Sequence, residues 1–373
     1  MGAETKEGKN PSISVVIPCF RAGELLSQAI ESVLAQTETD WELILVDNNA
    51  SEETKKIISK YVETFPEKIK SIFALDQGVC SARNKGIEAS NGKFIKLLDD
   101  DDLLYPNCLS THMDVMVKFP DAVLSYSLMD LILQESIVIG HEKPANIFPH
   151  FTRKSIEIAK ENGVFLDFPE PLPSTVFFKK GVSEAFFDKH FNPIFIEDSD
   201  FSMRMYQEGK FIELNSALVG IRVPSTNYLR KKRENVLLKY RFLQNQDYFY
   251  SKIVKILARK NLLSHQSIVS DLKRMRSRWL REASFNFLAT EEFVEIGRYL
   301  LWRSIKENID IISIKHLVRS FYPANYRRKK YGDFHVEEVG IEMRISKLFL
   351  DNIFNHSHSC VFCSSSQDEK VSF

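Results

Sequence analysis

The stretch Phe94-Ile95-Lys96-Leu97-Leu98-Asp99-Asp100-Asp101-Asp102 decides the fold. Its first five residues, mostly apolar, with one β-branched and one aromatic, read as a buried strand. Four carboxylates follow without a gap. Adjacent carboxylates repel one another, and burying them without a partner is costly. Acids at the tip of a core strand therefore call for a counter-charge. A divalent cation carrying a diphosphate supplies one, because hard cations prefer oxygen ligands. Taken alone, the quartet also reads as a solvated acidic turn.

Upstream, residues 13–17 form a short apolar strand stopped by Pro18. Gly23 opens a segment whose apolar positions Leu25, Leu26, Ala29, Ile30, Val33 and Leu34 lie on one face of a helix. Residues 42–46 read as a second strand ending on Asp47, and Ser51 as the cap of a helix carrying Ile57, Ile58 and Tyr61. A third strand is expected at 71–75, then a helix at 81–89 that turns at Asn91-Gly92 into the acid-tipped strand. This alternation predicts a mostly parallel sheet with helices on both faces. In such sheets ligands sit outside the carboxyl ends of the strands. Polar residues collect there: Cys19-Phe20-Arg21, Asp47-Asn48-Asn49, Asp76-Gln77 and the quartet.

Downstream, the pattern predicts a helix at 108–117, a strand at 122–126 and two short strands within 128–139. Residues 141–173 read as an irregular insertion over the site, with a helical patch at 155–161. A strand at 174–178, a helix opening on the acids Glu197 and Asp198, and strands at 211–214 and 217–223 follow. Beyond Asn227 the alternation stops, and 236–258, 267–288 and 291–307 read as helices. The expected organisation is a flexible N-terminus (1–10), an α/β catalytic domain (11–227), a helical C-terminal region (228–354) and a flexible tail (355–373).

Fifty basic residues balance fifty acidic ones, so no global field favours a nucleic acid, and none is expected as a partner. The C-terminal third nevertheless carries the basic runs 230–233 and 327–330, suited to anionic lipid or an anionic acceptor, or else to solvated helix faces. The N-terminus has no apolar leader, and no apolar run is long enough to span a bilayer. Five scattered cysteines fit a reducing compartment. The expectation is a cytoplasmic protein with peripheral contact at the inner face of the plasma membrane. His356, His358, Cys360 and Cys363 have zinc-ligand chemistry, but their terminal, Ser-rich setting favours an unstructured tail.

Five ordered blocks resemble the signature of glycosyltransferase family 2: residues 13–20 (ISVVIPCF), 32–37 (SVLAQT), 45–47 (LVD), 78–86 (GVCSARNKG) and 97–103 (LLDDDDL). The resemblance implies the GT-A fold, a nucleotide-diphosphate sugar as donor, Mn2+ or Mg2+ as cofactor, and transfer with inversion. It places Pro18 and Phe20 in the donor site and Asp47 at the nucleobase, where a carboxylate accepts from a uracil-type N–H, so a UDP-linked sugar is expected. Arg83 resembles the family's arginine near base and diphosphate. Asp99 and Asp101 match the D-x-D pair, Asp99 toward the ribose and Asp101 holding the cation, with Asp100 a further donor contact. Asp102 is expected to cap the turn into the next helix.

Residues 196–201 (IEDSDF) resemble the family's late E-D motif. Inverting transfer needs a base for the attacking hydroxyl, and the resemblance gives that role to Asp198, with Glu197 contacting the acceptor. The implied acceptor is a hydroxyl of a cell-surface glycan or a lipid-linked precursor. Three departures stand out. Arg21 replaces the usual Asn, Asp47-Asn48 replaces a pair of acids, and Arg222-Val223-Pro224 lacks the usual His, leaving only Arg222 to approach the diphosphate. Two rival readings share the sheet: a non-catalytic nucleotide-sugar-binding or scaffolding protein, and a nucleotidyltransferase. The latter lacks a Gly-rich phosphate loop after the first strand.

Overall fold

The structure is a computed structural model that describes residues 10–133, 138–142, 151–182, 186–192, 196–223, 236–288, 294–308 and 311–319. The N-terminal half alternates as its sequence predicts: β1 (Ile13–Cys19), α1 (Glu24–Leu34), β2 (Trp41–Asp47), α2 (Glu52–Thr64), β3 (Ile69–Phe73), α3 (Val79–Ala89) and β4 (Phe94–Leu97). Then come β5 (Leu103–Leu104), α4 (Cys108–Lys118), β6 (Ala122–Ile132), β7 (Val138–Glu142), α5 (Arg153–Glu161), a 3-10 turn (Pro173–Thr175), β8 (Val176–Lys179), α6 (Glu197–Glu208) and β9 (Lys210–Arg222). Four helices follow: α7 (Val236–Arg259), α8 (Gln266–Leu288), α9 (Val294–Glu307) and α10 (Ile311–Arg319).

Among the described residues the strands form one sheet in the order β3-β2-β1-β4-β8-β6-β9-β5, with β7 on β6. The first four run parallel, β8 is antiparallel to β4 and β6, and β6 and β9 are parallel. Every residue of β1 is buried, as a central strand covered on both faces requires. The apolar stripe of α1 (Leu26, Ala29, Ile30, Val33) packs into the main core. Ser51 caps α2 by accepting from the backbone N–H of Thr54, and the Tyr61 hydroxyl donates to Glu31 at 2.6 Å, tying α2 to α1. On α3, Gly86 lies so close to β1 and β2 that a Cβ would sit 2.2 Å from a Val16 methyl.

Two expectations are corrected by the sheet. Residues 122–132 and 210–222 are single long strands, where the pattern suggested broken pieces. Their mutual register shifts at Ala122/Leu124 and around Leu128, and a bulge interrupts the period-2 alternation without ending the strand. The segment read as a strand from 174 begins instead as the 3-10 turn.

The chain divides into two compact units, Met1–Lys232 with Tyr240–Leu272, and Arg233–Lys239 with Lys273–Phe373. The helical region read from 228 onward is thus shared between them. Most of α7 belongs with the sheet for an electrostatic reason. Lys252 reaches Asp188 (2.9 Å) and the fully buried Asp200 of α6 (2.5 Å). In the same unit, Asp271 accepts from both the backbone N–H and the hydroxyl of Thr152, the cap of α5. In the second unit, Leu288 and Leu301 form a small core with Phe285 and Leu317, and the buried hydroxyls of Ser277, Ser304 and Ser313 form a hydrogen-bonded chain. No described helix is long and apolar enough to cross a membrane. The basic runs 230–233 and 327–330, the His/Cys tail, Pro224 and residues 143–150 of the insertion lie outside the described residues.

Replacing Lys252 removes one of the two cations that pair with the buried Asp200 among the described residues, leaving Arg204. Lys252→Met is therefore expected to lower unfolding stability by about 2–3 kcal/mol in urea titrations. An unchanged midpoint would contradict this account of why most of α7 belongs to the first unit.

Candidate active site at the carboxyl edge of the sheet

The quartet emerges beside the end of β1, because Leu98 donates its backbone N–H to Val16 and Val16 is paired with Leu97. Asp100 accepts from the backbone N–H of Phe20 at 2.9 Å, joining the tips of β1 and β4. Burial, followed by the charges of Asp101 and Asp99, pushes the Asp100 carboxyl up to about 7. Burial and then Asp99 push Asp101 to about 6. These acids are crowded and short of positive charge, the condition their sequence implied.

Asp102 departs from expectation. Its carboxylate is buried and accepts from the Ser174 hydroxyl (2.6 Å) and the backbone N–H of Arg222 (3.0 Å). It holds the edge of the sheet together; α4 starts at Asn107 without a side-chain cap. The Arg222 guanidinium donates to Gln28 (2.5 Å) and to the carbonyl of Leu133 (3.0 Å).

Asp47 stands at the tip of β2, in register with Cys19 of β1. One of its oxygens accepts from the backbone N–H of Ala50 at 2.8 Å. Pro18 is buried within β1, and Phe20 is exposed with the Arg21 guanidinium 4.7 Å above its ring. The neighbouring Asn48 explains one sequence departure. Its Oδ1 accepts from Gly78, and its Nδ2 donates to the carbonyls of Asp76 and Ala74. An ionised carboxylate has no proton to give those carbonyls.

Arg83 is the centre of the arrangement. It is 3% exposed, lies under the ring of Phe187, and carries two acids. Nη2 donates to Asp99 at 2.9 Å and Nη1 to Glu197 at 3.4 Å. The acid-tipped strand and the start of α6 are thereby joined through one guanidinium. Before Glu197, Ile196 has φ 76°, a left-handed conformation that a β-branched residue adopts only under constraint. That turn delivers Glu197 and Asp198 into the first turn of α6. Burial, followed by repulsion from Asp198, pushes Glu197 up to about 7, with Arg83 opposing. Asp198 is also raised, by burial first, with Arg83 opposing and Asp99 adding to the rise.

Asn192 is a contributor that the sequence did not disclose. Helix α3 begins at Gly78 with no cap of its own. The Oδ1 of Asn192 accepts from Cys80, and its Nδ2 donates to the Ser81 hydroxyl. A cap supplied from 112 residues away leaves no local signature. Cys80 itself is buried and its thiol is pushed up to about 12 by burial, so it stays protonated.

Among the described residues no three His, Cys, Asp or Glu side chains form a closed metal cage. A Mg2+- or Mn2+-like ion binds through one or two carboxylates and completes its shell with substrate phosphates and water. The mutual repulsion in the quartet fits such an ion at Asp101.

A twisted α/β sheet with acids at the carboxyl tip of a central strand, bridged to the acids of a late helix, has the GT-A architecture. Solved structures agree on the fold. Staphylococcus aureus TarS 1-349 in complex with UDP-GlcNAc aligns with a TM-score of 0.53 at 14% identity, covering 84% of this chain and 93% of that one. Residues 14–155 match the Glycosyl transferase family 2 model. A GalNAc(5)-diNAcBac-PP-undecaprenol beta-1,3-glucosyltransferase of Campylobacter jejuni is 29% identical over 208 residues, 54% of this chain and 62% of the relative. An uncharacterised glycosyltransferase of Nostoc sp. is 39% identical over 103 residues, 28% of this chain and 32% of the relative. The chain thus spans less than two thirds of these curated relatives.

Removing the Arg83 charge leaves Glu197 with a higher pKa still. A carboxyl raised in the folded state contributes stability below its unfolded value, and loses it as pH rises through the folded value. Arg83→Met is therefore expected to cost about 3 kcal/mol near pH 8 and less near pH 5. Urea titrations at both pH values test this, and equal losses would speak against the bridge.

Proposed function

We propose that the chain transfers a sugar with inversion from a UDP-linked donor to a hydroxyl of a lipid-linked precursor or cell-surface glycan. The observation that carries this reading is the Arg83 bridge, which keeps the quartet and the E-D pair on one edge of the sheet. Asp47, Pro18, Phe20, Arg83, Asp99 and Asp100 would hold the donor, with the Asp47 carboxylate as acceptor for the base N–H. Asp101 would hold Mn2+ or Mg2+, which when bound neutralises charge on the leaving diphosphate. The TarS structures contain UDP and UDP-GlcNAc, and the printed activity of the Campylobacter relative concerns an undecaprenol-linked glycan. Both support the choice of donor and acceptor class.

In this reading Asp198 takes the proton from the acceptor hydroxyl as that oxygen attacks the anomeric carbon. Burial raises its pKa, which makes it a stronger base than a solvated aspartate. Glu197, held by Arg83, orients the acceptor. The reaction sets free UDP, whereas a nucleotidyltransferase would release pyrophosphate. Asp198→Asn is expected to lower kcat by about 10²–10⁴-fold, the usual contribution of a general base, and to leave UDP binding with Mn2+ intact. Calorimetry and coupled UDP release measure the two. A wild type that binds no nucleotide with Mn2+ would favour the scaffolding reading.

Peripheral attachment at the inner membrane face belongs to the same proposal and is assigned to the basic run 230–233. Neutralising its four charges should weaken binding to anionic vesicles by about 1 kcal/mol per charge near the surface. Unchanged sedimentation with the vesicles would remove the attachment.

A further inference from the structure

The insertion before β8 ends in residues 168–175, Phe168-Pro169-Glu170-Pro171-Leu172-Pro173-Ser174-Thr175. Three prolines at alternate positions fix φ and make this run stiff. The Ser174 hydroxyl accepts from the backbone N–H of Asp99 at 2.9 Å and donates to Asp102 at 2.6 Å. The Lys96 ammonium, fully buried in β4, donates to the carbonyls of Ser174 (2.6 Å) and Val176 (3.3 Å). The C-terminal end of the run is thereby fastened to the strand that carries the acids.

Its other end reaches the second acid group. Glu170 is 4% exposed, and its Oε2 accepts from the Ser199 hydroxyl at 2.7 Å. Ser199 in turn donates its backbone N–H to Asp198 at 2.8 Å. One stiff run is therefore bonded at Ser174 to the quartet and at Glu170 to the first turn of α6. The two attachments are four positions apart, a reach of at most ~14 Å when extended. Arg83 joins the same two groups by charge, while this run joins them by direction and length.

We propose that Glu170 and Ser174 are positioning residues that set the span between the acid quartet and the Glu197–Asp198 pair. The proposal rests on the transferase reading above. Neither side chain touches substrate. Ser174 acts by fixing Asp99 and Asp102, and Glu170 by fixing Ser199 beside the base. A displacement of about 1 Å in such a site can lower a rate on the order of 10²-fold.

The test uses the full chain and two readouts below the unfolding transition: calorimetric titration of UDP with Mn2+, and UDP release during transfer. Ser174→Ala is expected to weaken Mn2+-dependent UDP binding about tenfold, and Ser174→Thr, which keeps the hydroxyl, to restore most of it. Glu170→Ala is expected to lower kcat about tenfold or more with an unchanged donor KM and unchanged UDP affinity. Glu170→Gln, whose amide oxygen still accepts from Ser199, should recover most of that loss. Wild-type UDP affinity in Ser174→Ala, or wild-type kcat in Glu170→Ala, overturns the proposal. So does equal damage from the Gln and Ala variants at 170. A wild type that binds UDP with Mn2+ but turns over no donor ends the transferase reading, and the Ser174 titration then decides the spacer alone. A wild type that binds no UDP ends both.

Discussion

Like charges crowded at the end of a buried strand are the constraint on which this structure depends. Burial and the charge of Asp99 raise Asp100 and Asp101, and Asp102 is buried behind them. The fold answers this repulsion in two ways. Arg83 brings a full positive charge to Asp99. Backbone N–H groups of Phe20 and Arg222 bond Asp100 and Asp102. The remaining repulsion falls on Asp101, which burial and the charge of Asp99 raise.

The same guanidinium explains why two acid groups nearly a hundred residues apart belong to one edge of the sheet. Arg83 lies on α3, a helix whose start is held by Asn48 on one side and Asn192 on the other. Gly86 on that helix has no Cβ, which allows it to press against Val16. A helix displaced by one side chain's width would carry Arg83 away from either Asp99 or Glu197. The close approach and the two asparagine contacts are thus conditions of the site's geometry, although none of the three residues has chemistry of its own to perform.

The C-terminal helices show the same dependence over longer range. Lys252 on α7 neutralises Asp188 and Asp200, and Asp200 lies two residues after Asp198. The first unit is therefore completed by a helix that a reading of periodicity assigns to a separate region. Ion pairs of this kind depend on which residues meet in space, and a window of neighbouring residues carries no trace of them.

The parallel half of the sheet, the faces of α1 and α2, the Ser51 cap and the acid-tipped strand were all legible in the sequence, because each rests on local periodicity or on residues within one turn. Family resemblance added the candidate residues Asp47, Arg83, Asp101, Glu197 and Asp198 as separate points along the chain. Tertiary structure decided how those points are held: Arg83 shared between Asp99 and Glu197, Asp102 turned to Ser174 and Arg222, Asn48 donating to carbonyls, and long β6 and β9 running through bulges. The physical reason is the same in each case. Hydrophobic period and capping are written in adjacent residues, whereas the partner of a buried charge or amide is chosen by the packing of segments distant in the chain.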